Sequence, residues 1–128
     1  YIIDPQKTEN GKYVGSRGIS VDNAYEEILE MQDLFQKTSG RKGYHITVSF
    51  SEEAPLTAYD IMQIAYEISS ISFPRYQVLY GVNMVKGHPH IHFLINTVSL
   101  IDGIKLHIGF AEIEVLRGLI NQIESVFV

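Results

Sequence analysis

The chain has 128 residues, 45% of them hydrophobic and 20% charged, which fits one globular domain and excludes a disordered chain. It has no cysteine, which excludes disulfides, and no apolar run long enough to cross a bilayer. The net charge of −5 argues against a domain that coats nucleic acid by electrostatics alone, since such domains are usually basic. We expect a cytoplasmic protein without membrane insertion. Because it lacks an initial methionine and stops straight after a helical pattern, we expect residues 1–128 to be one domain cut from a longer protein.

The first part of the chain predicts a loop, a helix and a strand. Residues 1–20 are polar and glycine-rich, which indicates a loop or short hairpin. Apolar residues then recur at helical spacing, with Gly40 as the stop signal. Their positions are Val21, Ala24 or Tyr25, Ile28 or Leu29, and Phe35. Gly43–Phe50 alternates apolar and polar residues, which predicts a strand. One face of that strand would carry Tyr44, Ile46, Val48 and Phe50, and the other His45, Thr47 and Ser49.

A second helix and two strands follow. The helix is introduced by Pro55, has Thr57 and Asp60 at capping-box spacing, and is stopped by Pro74. Residues 76–82 and 88–96 predict strands.

The last part predicts a turn, a short strand and a helix. Asp102-Gly103 is a hairpin-type turn, so residues 105–108 form a short strand beyond it. The final helix has its apolar face on Ile113, Leu116, Leu119 or Ile120, and Ile123. Strands joined by short turns favour antiparallel pairing, so we expect an α+β fold: an antiparallel sheet with helices packed on one face.

Three histidines stand at alternate positions in the stretch KGHPHIHFLIN, residues 86–96. In a strand, His88, His90 and His92 share one face, whereas the apolar residues between them point to the core. Neighbouring histidines lie roughly 6.5–7 Å apart and can converge on one ion, but the outer pair, about 13 Å apart, cannot. We therefore expect a divalent metal on two of them, with Mn²⁺ or Zn²⁺ better suited than Ca²⁺ and a third ligand from elsewhere. The alternative is a passive histidine-rich strand.

Three motifs resemble those of one family. Gly87–Asn96 and the following Asp102–Lys105 resemble the histidine motif of relaxases, the conjugative nickases of plasmids and integrative elements. Tyr1–Thr8, YIIDPQKT, resembles their N-terminal "YI-x-NP-x-KT", and Gly43–Phe50 resembles their "YH-x-x-x-SF" strand. The branch is the mobilisation type related to the agrobacterial T-DNA nickase. The resemblance implies the His-hydrophobic-His nickase fold, which is ferredoxin-like or palm-like.

The resemblance also implies roles for single residues. Tyr1 stands at the position of the tyrosine that attacks DNA, and His90 and His92 stand at those of paired metal ligands. The family's first metal-binding histidine falls on Asn83, whose amide oxygen is a weaker ligand than imidazole. Either Asn83 serves, or His88 or a carboxylate replaces it, or the fragment binds metal poorly.

The implied activity is nicking and strand transfer at a transfer origin through a covalent 5′-phosphotyrosine. It requires a divalent ion, Mn²⁺ or Mg²⁺, with Zn²⁺ possible. The implied partners are single-stranded origin DNA, accessory mobilisation proteins and a coupling protein.

Other residues are weaker candidates. His45, Asn96, Lys105 and His107 are candidates for contact with DNA or support of a ligand, but Asn96 could equally hydrogen-bond a strand end. The fallback nucleophiles are Tyr13, expected in a loop, and Tyr25, expected in a helix core. The available basic contacts are Lys7, Arg17, Arg41 and Lys42.

Two other readings stay open. One is a related nickase, such as a rolling-circle replication initiator or transposase. The other is a DNA-binding or metal-binding module without catalysis, favoured by Asn83 and the acidic balance.

Overall fold

A computed structural model describes residues 13–37, 40, 43–50, 56–84 and 89–127, with side chains described as far as residue 122. Its elements are β1 (Val14–Arg17), α1 (Ala24–Leu34), β2 (Gly43–Ser49), α2 (Ala58–Ser72), β3 (Tyr76–Asn83), β4 (His90–Ser99) and α3 (Phe110–Phe127). The four strands form one antiparallel sheet in the order β1-β3-β4-β2. The expected α+β class and antiparallel sheet are confirmed. No helix in these described ranges is long and apolar enough to span a membrane.

The main core lies between one face of the sheet and helices α2 and α3. Phe93, Ile91 and Ile95 project from β4 into this layer and are almost completely buried. The α2 residues Ile61 and Ile64 meet them there with no exposed surface. Each such side chain contributes about 1.5–3 kcal/mol by leaving water, so alternate residues of β4 hold the fold together.

Helix α1 packs on the opposite face of the sheet. Its Ile28 is buried with Leu79 of β3, and Leu94 of β4 packs against them. Tyr25, expected in the helix core, is 71% exposed, whereas Gln32 is buried. The prediction that all helices share one face is therefore wrong for α1. The buried side of α1 consists of Ala24, Ile28 and Gln32, so its last inward position is occupied by a polar residue.

The N-terminal stretch, expected to be a loop or a short hairpin, contains the strand β1 at residues 14–17. β1 pairs with β3 at the edge of the sheet. Tyr13, just before it, is only 8% exposed and belongs to the main core. The backbone N–H of Val82 donates a hydrogen bond to the Tyr13 carbonyl at 2.8 Å. The flexible-loop prediction for Tyr13 is therefore wrong, because its side chain and its carbonyl are both bound by the fold.

Polar contacts fix both ends of α2. At its start, the Asp60 N–H donates to the Thr57 hydroxyl while the Thr57 N–H donates to the Asp60 carboxylate, which confirms the capping box. At its end, the Arg17 guanidinium donates to the carbonyl oxygens of Ser69 and Phe73 at 3.1 and 3.2 Å. Arg17, a candidate contact for DNA, is thus bound to the end of a helix.

The turn after β4 is built on Gly103. This glycine has a φ of +70°, and a Cβ there would collide with the Phe35 ring. Beyond the turn, the expected strand 105–108 is reduced to an isolated bridge between Val98 and Lys105. After the turn, helix α3 packs on the same face of the sheet as α2, with Leu116 in the main core.

Candidate functional site

The sheet face opposite α2 and α3 carries a group of polar side chains near one end. In β2 they are His45, Thr47 and Ser49, which are exposed, and in β3 and β4 they are Asn83, His90 and His92, which are partly exposed. Helix α1 covers this face only further along, around Leu79 and Leu94. The two-residue alternation of the strands places these side chains on one open surface, as the sequence predicts.

The two histidine rings of β4 lie side by side. The centroids of His90 and His92 are 6.2 Å apart and their planes differ by 28°. His90 Nδ1 lies 3.0 Å from the hydroxyl oxygen of Ser49. His92 Nδ1 lies 3.1 Å from His45 Nε2 and 3.4 Å from Thr47 Oγ1. Both rings therefore use Nδ1 toward β2, and Nε2 is the atom on the far side of each ring.

Strand register explains these contacts. Ser49 is the direct cross-strand neighbour of His90, and Thr47 of His92. On the other side of β4, Asn83 stands directly opposite His90. Cβ atoms of directly opposed residues lie about 4.5–5.5 Å apart, so the Asn83 amide borders the histidine pair. Strand pairing thus places side chains from β2 and β3 on either side of the β4 histidines.

The donor set is limited. In the part of the chain that the structure describes, no group of three or more His, Cys, Asp or Glu is arranged to hold a metal ion. The adjoining donors are two imidazoles and one amide oxygen, which can serve a divalent ion with open positions. Metal binding by Asn83 stays a prediction.

Asn96, a candidate contact for DNA, has no exposed surface. Its Oδ1 accepts from Gln32 Nε2 at 2.9 Å and from the Val98 N–H at 3.1 Å, and its Nδ2 donates to Gln77 Oε1 at 2.8 Å. Direct contact with DNA is incompatible with this burial. The alternative considered from the sequence, hydrogen bonding within the fold, is the one observed.

Lys105 and His107 are not part of the group. Lys105 pairs with Val98, six residues beyond His92 and therefore about 20 Å along the strand. His107 lines a groove of about 710 Å³ between the end of α2 and α3, with Phe73 among its walls. That groove lies on the helix side of the sheet, so the structure does not support a role for His107 at the histidine pair.

Several of the remaining candidate residues lie outside the part of the chain that the structure describes. Tyr1 and His88 lie outside the described residues, as do the basic residues Lys7, Arg41 and Lys42. Of the fallback nucleophiles, Tyr13 is buried in the core and Tyr25 is on the exposed side of α1.

Sequence reasoning missed the pairing of Ser49 with His90 and of Thr47 with His92. The signal was present in the alternation of β2, which puts both hydroxyls on the histidine face. Only the register between β2 and β4 assigns each hydroxyl to a ring.

Comparison with known families identifies the family of this chain. Residues 1–127 match the family described as relaxase, MobA/VirD2-like, nuclease domain. The chain therefore belongs to the relaxase family, as its three motifs predict. No curated protein and no solved structure matches it significantly. Family membership makes this a nuclease domain that nicks DNA and binds single-stranded DNA.

Proposed function

We propose that this domain nicks one DNA strand at the transfer origin of a plasmid or integrative element and keeps the cut strand as a covalent phosphotyrosine. The observation that carries the proposal is the pair His90 and His92 on the open face, with both rings held through Nδ1 by β2. Accessory mobilisation proteins, a coupling protein and a cytoplasmic location belong to the same proposal.

The pair fits a divalent ion, Mn²⁺ or Mg²⁺, with Zn²⁺ as a third possibility. Two imidazoles on one ion, with bonds of about 2.1 Å, place their ring centres about 5 Å apart. The observed 6.2 Å is within about 1 Å of that separation, which small side-chain rotations close. Asn83 would supply an amide oxygen beside the pair, and His88 is the alternative third ligand. When bound, the ion supplies a Lewis acid that neutralises charge on the oxygens of the scissile phosphate.

Tyr1 is the proposed nucleophile. Its phenolic oxygen forms a bond to the phosphorus, and the bond from phosphorus to the 3′ oxygen breaks. The tyrosine loses its proton and the 3′ oxygen gains one, so the products are a free 3′-hydroxyl and a 5′-phosphotyrosine. One phosphodiester replaces another, so the strand can later be rejoined without an external energy source.

The test is nicking of supercoiled plasmid that carries the protein's own origin, with the full-length protein. We expect Mn²⁺ or Mg²⁺ to support nicking, a chelator to abolish it, and protein to stay attached to the 5′ end. Tyr1→Phe should lose the covalent product by about 100-fold or more, since the substitution removes the attacking oxygen. Tyr25→Phe is the matched control and should retain it. Equal nicking by Tyr1→Phe and the parent protein would show that the assigned nucleophile is wrong.

Two alternatives remain distinguishable by experiment. A rolling-circle initiator or transposase-type nickase would form the same adduct but cut its own replication origin or element end. A non-catalytic DNA-binding or metal-binding module is favoured by Asn83 in place of a third imidazole and by the net charge of −5. Tight binding of origin single strand in a fluorescence titration, without covalent adduct under any ion, would support that module.

A further inference from the structure

We infer that β2 is the positioning strand of the site, with His45 and Ser49 setting which ring nitrogen His92 and His90 present to a ligand. The inference rests on the proposed function, because the contact between His45 Nε2 and His92 Nδ1 allows either proton position and the need to offer Nε2 to a metal ion selects one of them. His45 is thereby assigned to the support of His92 rather than to direct contact with DNA.

His92 Nδ1 has two contacts on β2. A hydrogen bond between two ring nitrogens needs a proton on one of them and a lone pair on the other. If His92 Nδ1 carries the proton, it donates to His45 Nε2 at 3.1 Å, and Thr47 Oγ1 at 3.4 Å is a second acceptor. His92 Nε2 then has the lone pair that a metal ion requires. The opposite assignment places a proton on Nε2 and blocks ligation.

His90 is held less strictly. Its Nδ1 faces the Ser49 hydroxyl at 3.0 Å, and a hydroxyl can either donate or accept. Ser49 therefore fixes the direction of the ring but tolerates both proton positions. We therefore expect that replacing His45 lowers the affinity for the metal ion more than replacing Ser49.

The geometry separates this role from that of an ordinary surface histidine. His45 is not the direct neighbour of His92 but lies diagonally, opposite Leu94. Its ring nevertheless approaches to 5.3 Å from that of His92, while His90 lies 6.2 Å away. The three imidazoles form a row with His92 in the middle. Diagonal neighbours on a sheet lie within reach of aromatic side chains, and here the contact is close enough for a hydrogen bond between His45 Nε2 and His92 Nδ1.

The first test needs no metal and no DNA. In the metal-free protein, long-range ¹⁵N–¹H correlation spectra report which nitrogen of each histidine carries the proton. We expect the proton of His92 on Nδ1 in the parent protein and on a mixture of both nitrogens in His45→Ala. His45→Gln, whose amide oxygen can accept the same hydrogen bond, should restore the parent pattern. A proton on Nε2 of His92 in the parent protein would overturn the inference.

The second test measures the affinity for Mn²⁺ by calorimetry, with melting curves as a check on folding. Removal of such a supporting group lowers metal affinity about 10- to 100-fold, and we expect His45→Ala to fall in this range, Ser49→Ala to fall less and His45→Gln to stay within about threefold of the parent. His107→Ala, on the other side of the sheet, is the matched histidine control. An affinity for His45→Ala equal to that of the parent would contradict the inference. If the parent protein formed no covalent adduct, the proposed function would fail, yet the spectra would still decide the role of β2.

Discussion

At the scale of single residues, both polar side-chain atoms of Asn96, Oδ1 and Nδ2, form hydrogen bonds inside the protein. It joins Gln32 of α1 to Gln77 of β3, and Gln77 in turn donates to the Gly18 carbonyl at 3.1 Å. Such a chain of amides connects a helix, two strands and a loop through hydrogen bonds shielded from water. Loss of one member leaves the others buried with fewer partners, which is the costly case for polar groups.

We therefore predict that Asn96→Ala lowers the free energy of unfolding by about 2–4 kcal/mol. Urea denaturation followed by circular dichroism measures the change. Asn121→Ala, at an exposed position of α3, is the control and should change stability by less than about 0.5 kcal/mol. Unchanged stability of Asn96→Ala would contradict the prediction.

Asn83 tests the donor set. Asn83 stands directly opposite His90, so a histidine introduced at position 83 would place its imidazole beside that of His90. We predict that Asn83→His raises the affinity for Mn²⁺ about tenfold or more, because imidazole is a better ligand than an amide oxygen. Calorimetric titration measures it, and Asn83→Ala should bind more weakly than the parent. Equal affinities for all three proteins would exclude position 83 from the site.

At the scale of elements, the turn between β4 and α3 depends on the Asp102 carboxylate. The Ile104 N–H donates to it at 3.0 Å, and the Arg75 guanidinium lies 3.1 Å away. The hydrogen bond from Ile104 is the largest cause that holds the pKa of Asp102 below its ordinary value, with Ser99 and Arg75 adding to it. A depressed pKa in the folded state means that the charged form stabilises the fold.

The lowered pKa of Asp102 determines how stability changes with pH. The contribution of the charge is fully present above the unfolded-state pKa, near 4, and is lost as pH falls through the lower folded-state pKa. We predict that the parent protein is more stable than Asp102→Asn at pH 7 and that the difference disappears as pH falls below about 4. Urea denaturation of both proteins across this pH range measures it. A difference that grows toward acid would contradict the prediction.

The sequence predicts the elements whose pattern is unambiguous. The alternation in β2 and β4 gives the inward and outward faces, and Thr57 with Asp60 gives the start of α2. β1 lies in residues 1–20, where the sequence predicts only a loop or a short hairpin, because Val14–Arg17 is short and does not alternate between apolar and polar residues. On α1, Ala24 and Ile28 are among the predicted inward positions and are buried, but the third buried residue is Gln32, whose partner Asn96 is 64 residues away. The histidine pair could be predicted locally, whereas its partners on β2 depend on register.

At the scale of the whole molecule, the charge distribution limits how DNA is held. The net charge is −5, and α1, on the same side of the sheet as the histidine pair, carries four acidic residues. These are Glu26, Glu27, Glu30 and Asp33. Among the described arginines, Arg17 is bound to α2, Arg75 contacts Asp102, and Arg117 contacts Glu114. These three described arginines therefore offer few contacts to DNA phosphates.

We therefore predict that binding of origin single strand depends weakly on monovalent salt and strongly on the divalent ion. The slope of log K against log salt concentration should be about −1.4 to −2.1, corresponding to two or three phosphate contacts at about −0.7 per contact on a single strand. Fluorescence anisotropy at several salt concentrations, with Mn²⁺ or with chelator, measures both effects. A steep slope that persists in chelator would show that electrostatic contacts outside the described residues dominate.

The alternation of β4 ties chemistry to folding in one short segment. His90 and His92 face outward because Ile91 and Phe93 face inward, so shifting the strand by one residue would bury the imidazoles and expose the hydrocarbon. A misregistered chain would thus lose its exposed histidine pair in the same event that disrupts its core. Insertions or deletions of a single codon within this segment should consequently yield insoluble protein rather than a folded but miscutting nuclease.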